Sequence, residues 1–163
     1  MRQVLLWPDP RLSQVCDPVG AEDVTDLAAE MFQIMYDAPG RGLAAPQIGV
    51  MKRVFVMDCG WKDGEMTPLA CIDPEILAFS DDLATGEEGC LSIPGTPAGV
   101  TRPAGITLRF RDLNGEIQTR DLQGFEAKCA QHEYDHLDGR VIFDRITPEA
   151  RAALETAYLE TQK

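Results

Sequence analysis

Apolar positions in this chain fall into short patterns separated by glycine and proline. Val24, Leu27, Met31 and Met35 recur at helical spacing and predict a helix over residues 24–36, with Asp23 as N-cap and Pro39-Gly40 as its end. The Met and Phe side chains of this stretch read as core. Val54-Phe55-Val56-Met57 is an unbroken apolar run too short for a helix, which predicts a buried strand. Ile106, Leu108 and Phe110 alternate with Thr107, Arg109 and Arg111, the period of a half-buried strand. Asp112-Leu113-Asn114-Gly115 then reads as a hairpin turn and residues 116–122 as the return strand. A helix is expected over residues 125–137, between Gly124 and Gly139, followed by a short strand or extended piece at Val141-Ile142-Phe143. Thr147 caps a last helix, about 148–162, that Pro148 opens and whose apolar stripe is Leu154, Ala157 and Tyr158. Residues 7–20 hold Pro8, Pro10 and Pro18 and read as extended chain or turns. Residues 40–49, rich in glycine and alanine, let backbone come close to a ligand.

The order helix, strands, helix, helix predicts an α+β fold. We expect a single compact domain over residues 1–163, with antiparallel strands packed around a central helix and a further helix at the C-terminal end. A length of 163 residues suits one domain with a real core. With 15 basic and 27 acidic side chains the net charge is −12, which argues against nucleic-acid phosphates and anionic membrane as partners. The first apolar run, Val4 to Trp7, stops at Pro8 and is too short for a signal segment or a span, so a cytoplasmic protein is expected. Five cysteines, an odd number without a C-x-x-C pair, argue against a disulfide framework or a zinc ribbon.

Chemistry enters at His132-Glu133-Tyr134-Asp135-His136, which uses both histidines of the chain. Positions i and i+4 share one helix face, so two imidazoles ~6 Å apart along the axis can bind one metal ion. Glu133 beside them can take a proton from water that the metal activates. Catalytic sites of this kind take three protein ligands. Downstream the candidates are Asp138, Asp144, Glu149 and Glu155, none in a further motif. Upstream stands Cys90 in Glu88-Gly89-Cys90-Leu91-Ser92, read as an exposed turn where a thiolate can form. Asp135 and Asp138 are expected on the exposed helix face, solvated or paired with an arginine. Phe125 and Cys129, two turns and one turn before His132, are candidates to line an apolar pocket beside this helix.

Three segments together resemble the peptide deformylase family: Gly40-x-Gly42-Leu43-Ala44-Ala45-Pro46-Gln47, Glu88-Gly89-Cys90-Leu91-Ser92, and Gln131-His132-Glu133-x-x-His136-Leu137-x-Gly139. The opening Trp7-Pro8-Asp9-Pro10-Arg11-Leu12 and Val100-x-Arg102-Pro103 are similar to that family as well, so the resemblance covers about residues 4–145. It implies that Cys90, His132 and His136 hold one divalent metal ion, Fe2+ in the cell, with Ni2+, Co2+ or Zn2+ able to substitute. It implies Glu133 as general base and then acid, with the Gln47 side-chain amide and the Leu91 backbone N–H as oxyanion donors. Gly42 and Gly89 would pair with substrate backbone. The implied substrate is the N-formylmethionyl end of a nascent polypeptide, and formate the product, in a monomer of the bacterial cytoplasm.

The chain departs from the family's common pattern in three places. Arg41 stands where relatives often carry an aliphatic residue, and its guanidinium is expected at the groove rim. Pro97 replaces a longer side chain. The last helix sets Glu149, Glu155 and Glu160 against Arg151 and Lys163, so ribosome association through it should be weak at most. Two competing readings are a zincin-type protease with a downstream acid as third ligand, and a paralogue that handles another N-acyl group or only binds.

Overall fold

The computed structural model describes residues Met1–Lys163. The apolar run predicted as a strand is β2 (Val54–Met57), buried along its whole length. Side chains alternate across a strand, and here each face meets a different core. Val54 and Val56 pack with Met31, Ile34 and Met35 of α1 (Thr25–Asp37). Phe55 and Met57 pack with Ala127, Ala130 and Leu137 of α2 (Gly124–Leu137). A strand covered by helices on both faces has no polar side to show, which explains its unbroken apolar sequence. Met31 and Met35 are fully buried, each worth roughly 1.5–3 kcal/mol.

β2 belongs to an antiparallel five-stranded sheet in the order β1 (Gly42–Ala44), β2, β3 (Leu69–Phe79), β6 (Gly105–Arg111), β7 (Ile117–Gln123). The predicted hairpin is β6–β7, with Arg111 opposite Ile117. β4 (Leu83–Cys90) and β5 (Ile93–Pro103) form a separate two-stranded ribbon. A third core lies under it, built from Ile93, Ala98, Val100, Trp7, Phe143 and Tyr158 of α3 (Pro148–Thr161). The architecture is the expected α+β fold, with the histidine helix packed between the sheet and the ribbon.

Several local expectations are corrected. α1 starts at Thr25 with Val24 at the cap position, although the Asp23 carboxylate does accept from the Thr25 N–H at 2.9 Å. Val141-Ile142-Phe143 is no strand. Residues Ile142–Arg145 form a 3-10 turn because the Asp144 carboxylate accepts from the Val141 N–H at 2.8 Å and closes the chain on itself. Thr147 caps α3 as expected, its hydroxyl accepting from the Ala150 N–H at 3.2 Å. Ala157, expected in that helix's apolar stripe, is exposed, while Tyr158 carries the burial.

The chain's first residues run past the segments that hold Gln47 and Ser92. Leu5 N–H donates to the Gln47 carbonyl at 2.7 Å and Trp7 N–H to the Ser92 carbonyl at 2.8 Å. The Tyr158 hydroxyl donates to the Trp7 carbonyl at 2.8 Å, and the Trp7 indole donates to Glu155 at 2.7 Å.

Candidate active site

α2 presents His132, Glu133 and His136 because its apolar residues face the sheet while this side turns toward the ribbon. Gly139 ends the helix at a φ of 74°, a conformation open to glycine, and its N–H donates back to the His136 carbonyl at 3.1 Å. The imidazole centroids of His132 and His136 are 5.1 Å apart. Cys90 comes to them as the last residue of β4, and its Sγ lies 3.4 Å from His136 Nε2. One ligand atom from each of Cys90, His132 and His136 falls within 4.8 Å of the others. Cys90 is therefore buried on the ribbon rather than on an exposed turn, because the two-residue turn is Leu91-Ser92 and follows it. Three of the downstream acids are engaged elsewhere, Asp138 with Arg53, Asp144 with Arg151 and Glu155 with Trp7, and the fourth, Glu149, is exposed in the first turn of α3.

The donor set fits a divalent cation. A carboxylate can only accept, so His132 Nδ1–H donates to Glu88 Oε1 at 3.0 Å, and its Nε2 lone pair is left for a metal. Glu133 Oε1 and His136 Nδ1 are buried without a hydrogen-bond partner in the protein. Thiolate plus two imidazoles suits borderline cations such as zinc and ferrous iron. Burial pushes the Cys90 thiol up, but the His136 charge and hydrogen bonds from both histidines bring it down to about 5. Burial works against charge on His132, yet Glu133, Cys90 and Glu88 raise it well above the ordinary imidazole value. The ligands bind a cation as thiolate and neutral imidazole, so cation affinity should fall as pH is lowered. Burial raises the Glu133 carboxyl above its usual range, against the pull of both histidines.

A chain of buried ions backs the site. Arg102 donates to both oxygens of Glu88, at 2.7 and 3.0 Å, and to Asp135 at 2.9 Å. Arg145 closes on the other side of Asp135, at 2.6 and 2.9 Å. Burial works against the Glu88 charge, but His132 and Arg102 hold its carboxyl at about 2. Asp135, expected on an exposed helix face, is therefore buried and doubly paired. Asp138 does meet an arginine, Arg53, at 3.0 Å. Sequence reasoning gave no role to Glu88, Arg102 or Arg145. The available signal was Arg102 itself, an arginine in phase with the inward positions Thr96, Ala98 and Val100 of β5.

Gln47 is buried in the short turn after β1. Its Oε1 accepts from the Ala44 N–H at 2.9 Å, which aims its Nε2 at Ser92 Oγ (3.1 Å) and Cys90 Sγ (3.6 Å). A groove of about 600 Å3 opens over the centre. Every expected site residue lines it except His136, which lies behind: Arg41, Gly42, Gln47, Gly89, Cys90, Leu91, Phe125, Cys129, His132 and Glu133. Arg41 reaches the rim, its guanidinium 4.9 Å from the Phe125 ring centroid. A Cβ on Gly42 would stand 2.6 Å from Glu133 Oε2 and 3.0 Å from Cys129 Sγ, so a side chain here would displace the Glu133 carboxylate. At Gly89 a Cβ would meet nothing within 4 Å.

Fold and centre together define a class, the metal-dependent hydrolases that carry two histidines and a glutamate on one helix. Comparison with known proteins narrows it. The chain belongs to the polypeptide deformylase family, whose sequence model matches residues 1–152. It is 44% identical over 165 residues to a peptide deformylase of Afipia carboxidovorans, covering 100% of this chain and 96% of that protein. The crystal structure of a peptide deformylase from Legionella pneumophila superposes with a TM-score of 0.91 at 35% identity, covering 99% of this chain and 95% of that one. A Synechococcus elongatus peptide deformylase in complex with actinonin gives a TM-score of 0.89 at 36% identity, covering 96% and 87%.

Proposed function

We infer that this chain hydrolyses the N-formyl group from the N-terminal methionine of newly made polypeptides and releases formate. One observation carries the reading: the Cys90, His132 and His136 ligand atoms converge beside the unpartnered Glu133 carboxylate, at the floor of an open groove. Cys90, His132 and His136 would hold one divalent cation, with Fe2+ proposed in the cell and Ni2+, Co2+ or Zn2+ able to replace it. When bound, such a cation supplies the Lewis acidity that makes water nucleophilic near neutral pH.

Glu133 takes the proton of the attacking water and passes it to the departing amine. The raised carboxyl of this residue suits that return. Gln47 Nε2–H and Leu91 N–H donate to the oxygen that gains charge, and one such neutral donor is worth ~3 kcal/mol. Gly42 and Gly89 pair with the substrate backbone as an added strand would. Phe125 and Cys129 line the methionine side chain's place, and Arg41 and Pro97 bound the exit for later substrate residues. Residues 1–163 act as one catalytic unit, a monomer of the bacterial cytoplasm. Bacterial relatives support that placement.

The test is formate release from formyl-Met-Ala-Ser by anaerobic, Fe2+- or Ni2+-loaded protein, with Cys90→Ala beside it. Rapid release by the parent and none by the variant, which should also lose its cation, is expected. A folded, cation-loaded parent that releases no formate would overturn the reading.

A further inference from the structure

Two thiols near the groove are not explained by hydrolysis. Cys59 follows β2 and is partly exposed; Cys129 sits on α2 in the groove wall, one turn before His132. One carbonyl ties Cys129 to the residue before Cys59. The Arg41 carbonyl accepts from the Asp58 N–H at 2.9 Å and from the Cys129 thiol at 3.6 Å. Cys59, the residue after Asp58, packs against the core cluster that holds Met57 and Cys129, so the two thiols share one packed neighbourhood. The remaining cysteines have no such neighbour: burial pushes Cys16 up to about 11 and Cys71 further, and Cys90 belongs to the cation centre.

We propose that Cys59 and Cys129 are an oxidative modification site, a dithiol that hydrogen peroxide converts to a disulfide in the wall of the groove, slowing turnover until a thiol reductant reopens it. The effect on turnover rests on the deformylase reading; the disulfide itself does not.

Cys59 is the attacking sulfur, since it is the more exposed of the two thiols. Its sulfur attacks one peroxide oxygen, the O–O bond breaks, and the second oxygen leaves as water with the Cys59 proton. The sulfur is oxidised by two electrons to a sulfenic acid. Cys129 sulfur then attacks Cys59 sulfur, the S–S bond forms and the S–O bond breaks. The departing hydroxyl takes the Cys129 proton as a second water. One peroxide is thus reduced to two waters while the two thiols lose two hydrogens. The bond draws Cys129 Sγ away from the Arg41 carbonyl and toward Cys59. Arg41 and Gly42 form the wall on which substrate backbone would lie, and Gly42 already sits in close contact with that sulfur. Oxidation should therefore raise KM more than it lowers kcat.

The test uses the full chain loaded with Ni2+, so that Cys90 is held by the cation and iron oxidation does not intrude. After hydrogen peroxide the protein is quenched with N-ethylmaleimide and digested with trypsin. A linked pair of peptides 54–62 and 129–140 is expected, absent from reduced samples. Formyl-peptide turnover of the parent should fall severalfold and recover with dithiothreitol, while Cys59→Ser keeps its activity under the same dose. Cys59→Ala serves if the serine variant folds poorly. The proposal is overturned if Cys59 and Cys129 are recovered separately at a dose that slows the parent. Equal slowing of parent and Cys59→Ser overturns it too. Should untreated protein release no formate, the linked peptides still decide whether the thiols pair.

Discussion

A buried carboxylate oxygen without a donor costs on the order of 1–3 kcal/mol or more, and Glu133 Oε1 is held in that state beside two imidazoles. The same burial raises its proton affinity toward the range where a general base works best. Gly42 is what permits it, because any side chain there would collide with Glu133 Oε2. Glu133→Ala should keep its cation, measured by metal analysis, and lose at least ~10²-fold in turnover; activity within about threefold of the parent would sink the assignment. At this scale the sequence spoke through motif and spacing. His132, Glu133 and His136 were legible from the i, i+4 rule. Cys90 was legible as one of several candidate third ligands, and Gln47 only by resemblance, since a lone amide is a common surface residue. That Asp135 is buried could not be read, because its partners Arg102 and Arg145 come from other elements.

Those partners join elements that share no sequence neighbourhood. The ribbon β4–β5 brings Cys90, Glu88 and Arg102; α2 brings His132, His136 and Asp135; the turn before α3 brings Arg145. Arg102 spans the gap, bonded to Glu88 on its own ribbon and to Asp135 on the helix. Arg102→Met would leave two buried carboxylates short of a cation, a loss of about 3–5 kcal/mol. It would also free Glu88 from its hold on His132, weakening cation affinity ~10–100-fold. Denaturant unfolding and competition with a chelator measure the two effects; unchanged cation affinity in a destabilised variant would mean that Arg102 is a structural ion only. The ribbon was also the part of the fold least visible in sequence. Pro94, Gly95, Pro97 and Gly99 mask the inward alternation of Thr96, Ala98, Val100 and Arg102 in β5. β3 is broken by Asp73-Pro74, where Asp73 takes a φ of 48° and the register with β6 shifts. By contrast β2 and β6 carry clean patterns, because β2 is covered on both faces and β6 buries the face of Ile106, Leu108 and Phe110.

For the molecule as a whole, a net charge of −12 sets the long-range field, and it repels polyanions. α3 adds little to reverse this. Its inward face is already occupied by its own domain, through Tyr158 and Glu155 on Trp7, and its outward side carries Glu149 and Glu160. The full chain should not co-sediment with ribosomes at ~0.15 M salt, where exposed charges act over only ~8 Å; sedimentation that persists there would overturn this. The bonds of the chain's first residues carry a wider meaning. Leu5 grips the turn that aims Gln47, Trp7 grips the turn of Leu91 and Ser92, and Tyr158 grips Trp7 in turn. Both proposed oxyanion donors are therefore moored by residues near opposite ends of the polymer. Catalytic alignment here is a property of the closed chain, so a fragment holding all three motifs would keep the chemistry's ingredients and lose their aim.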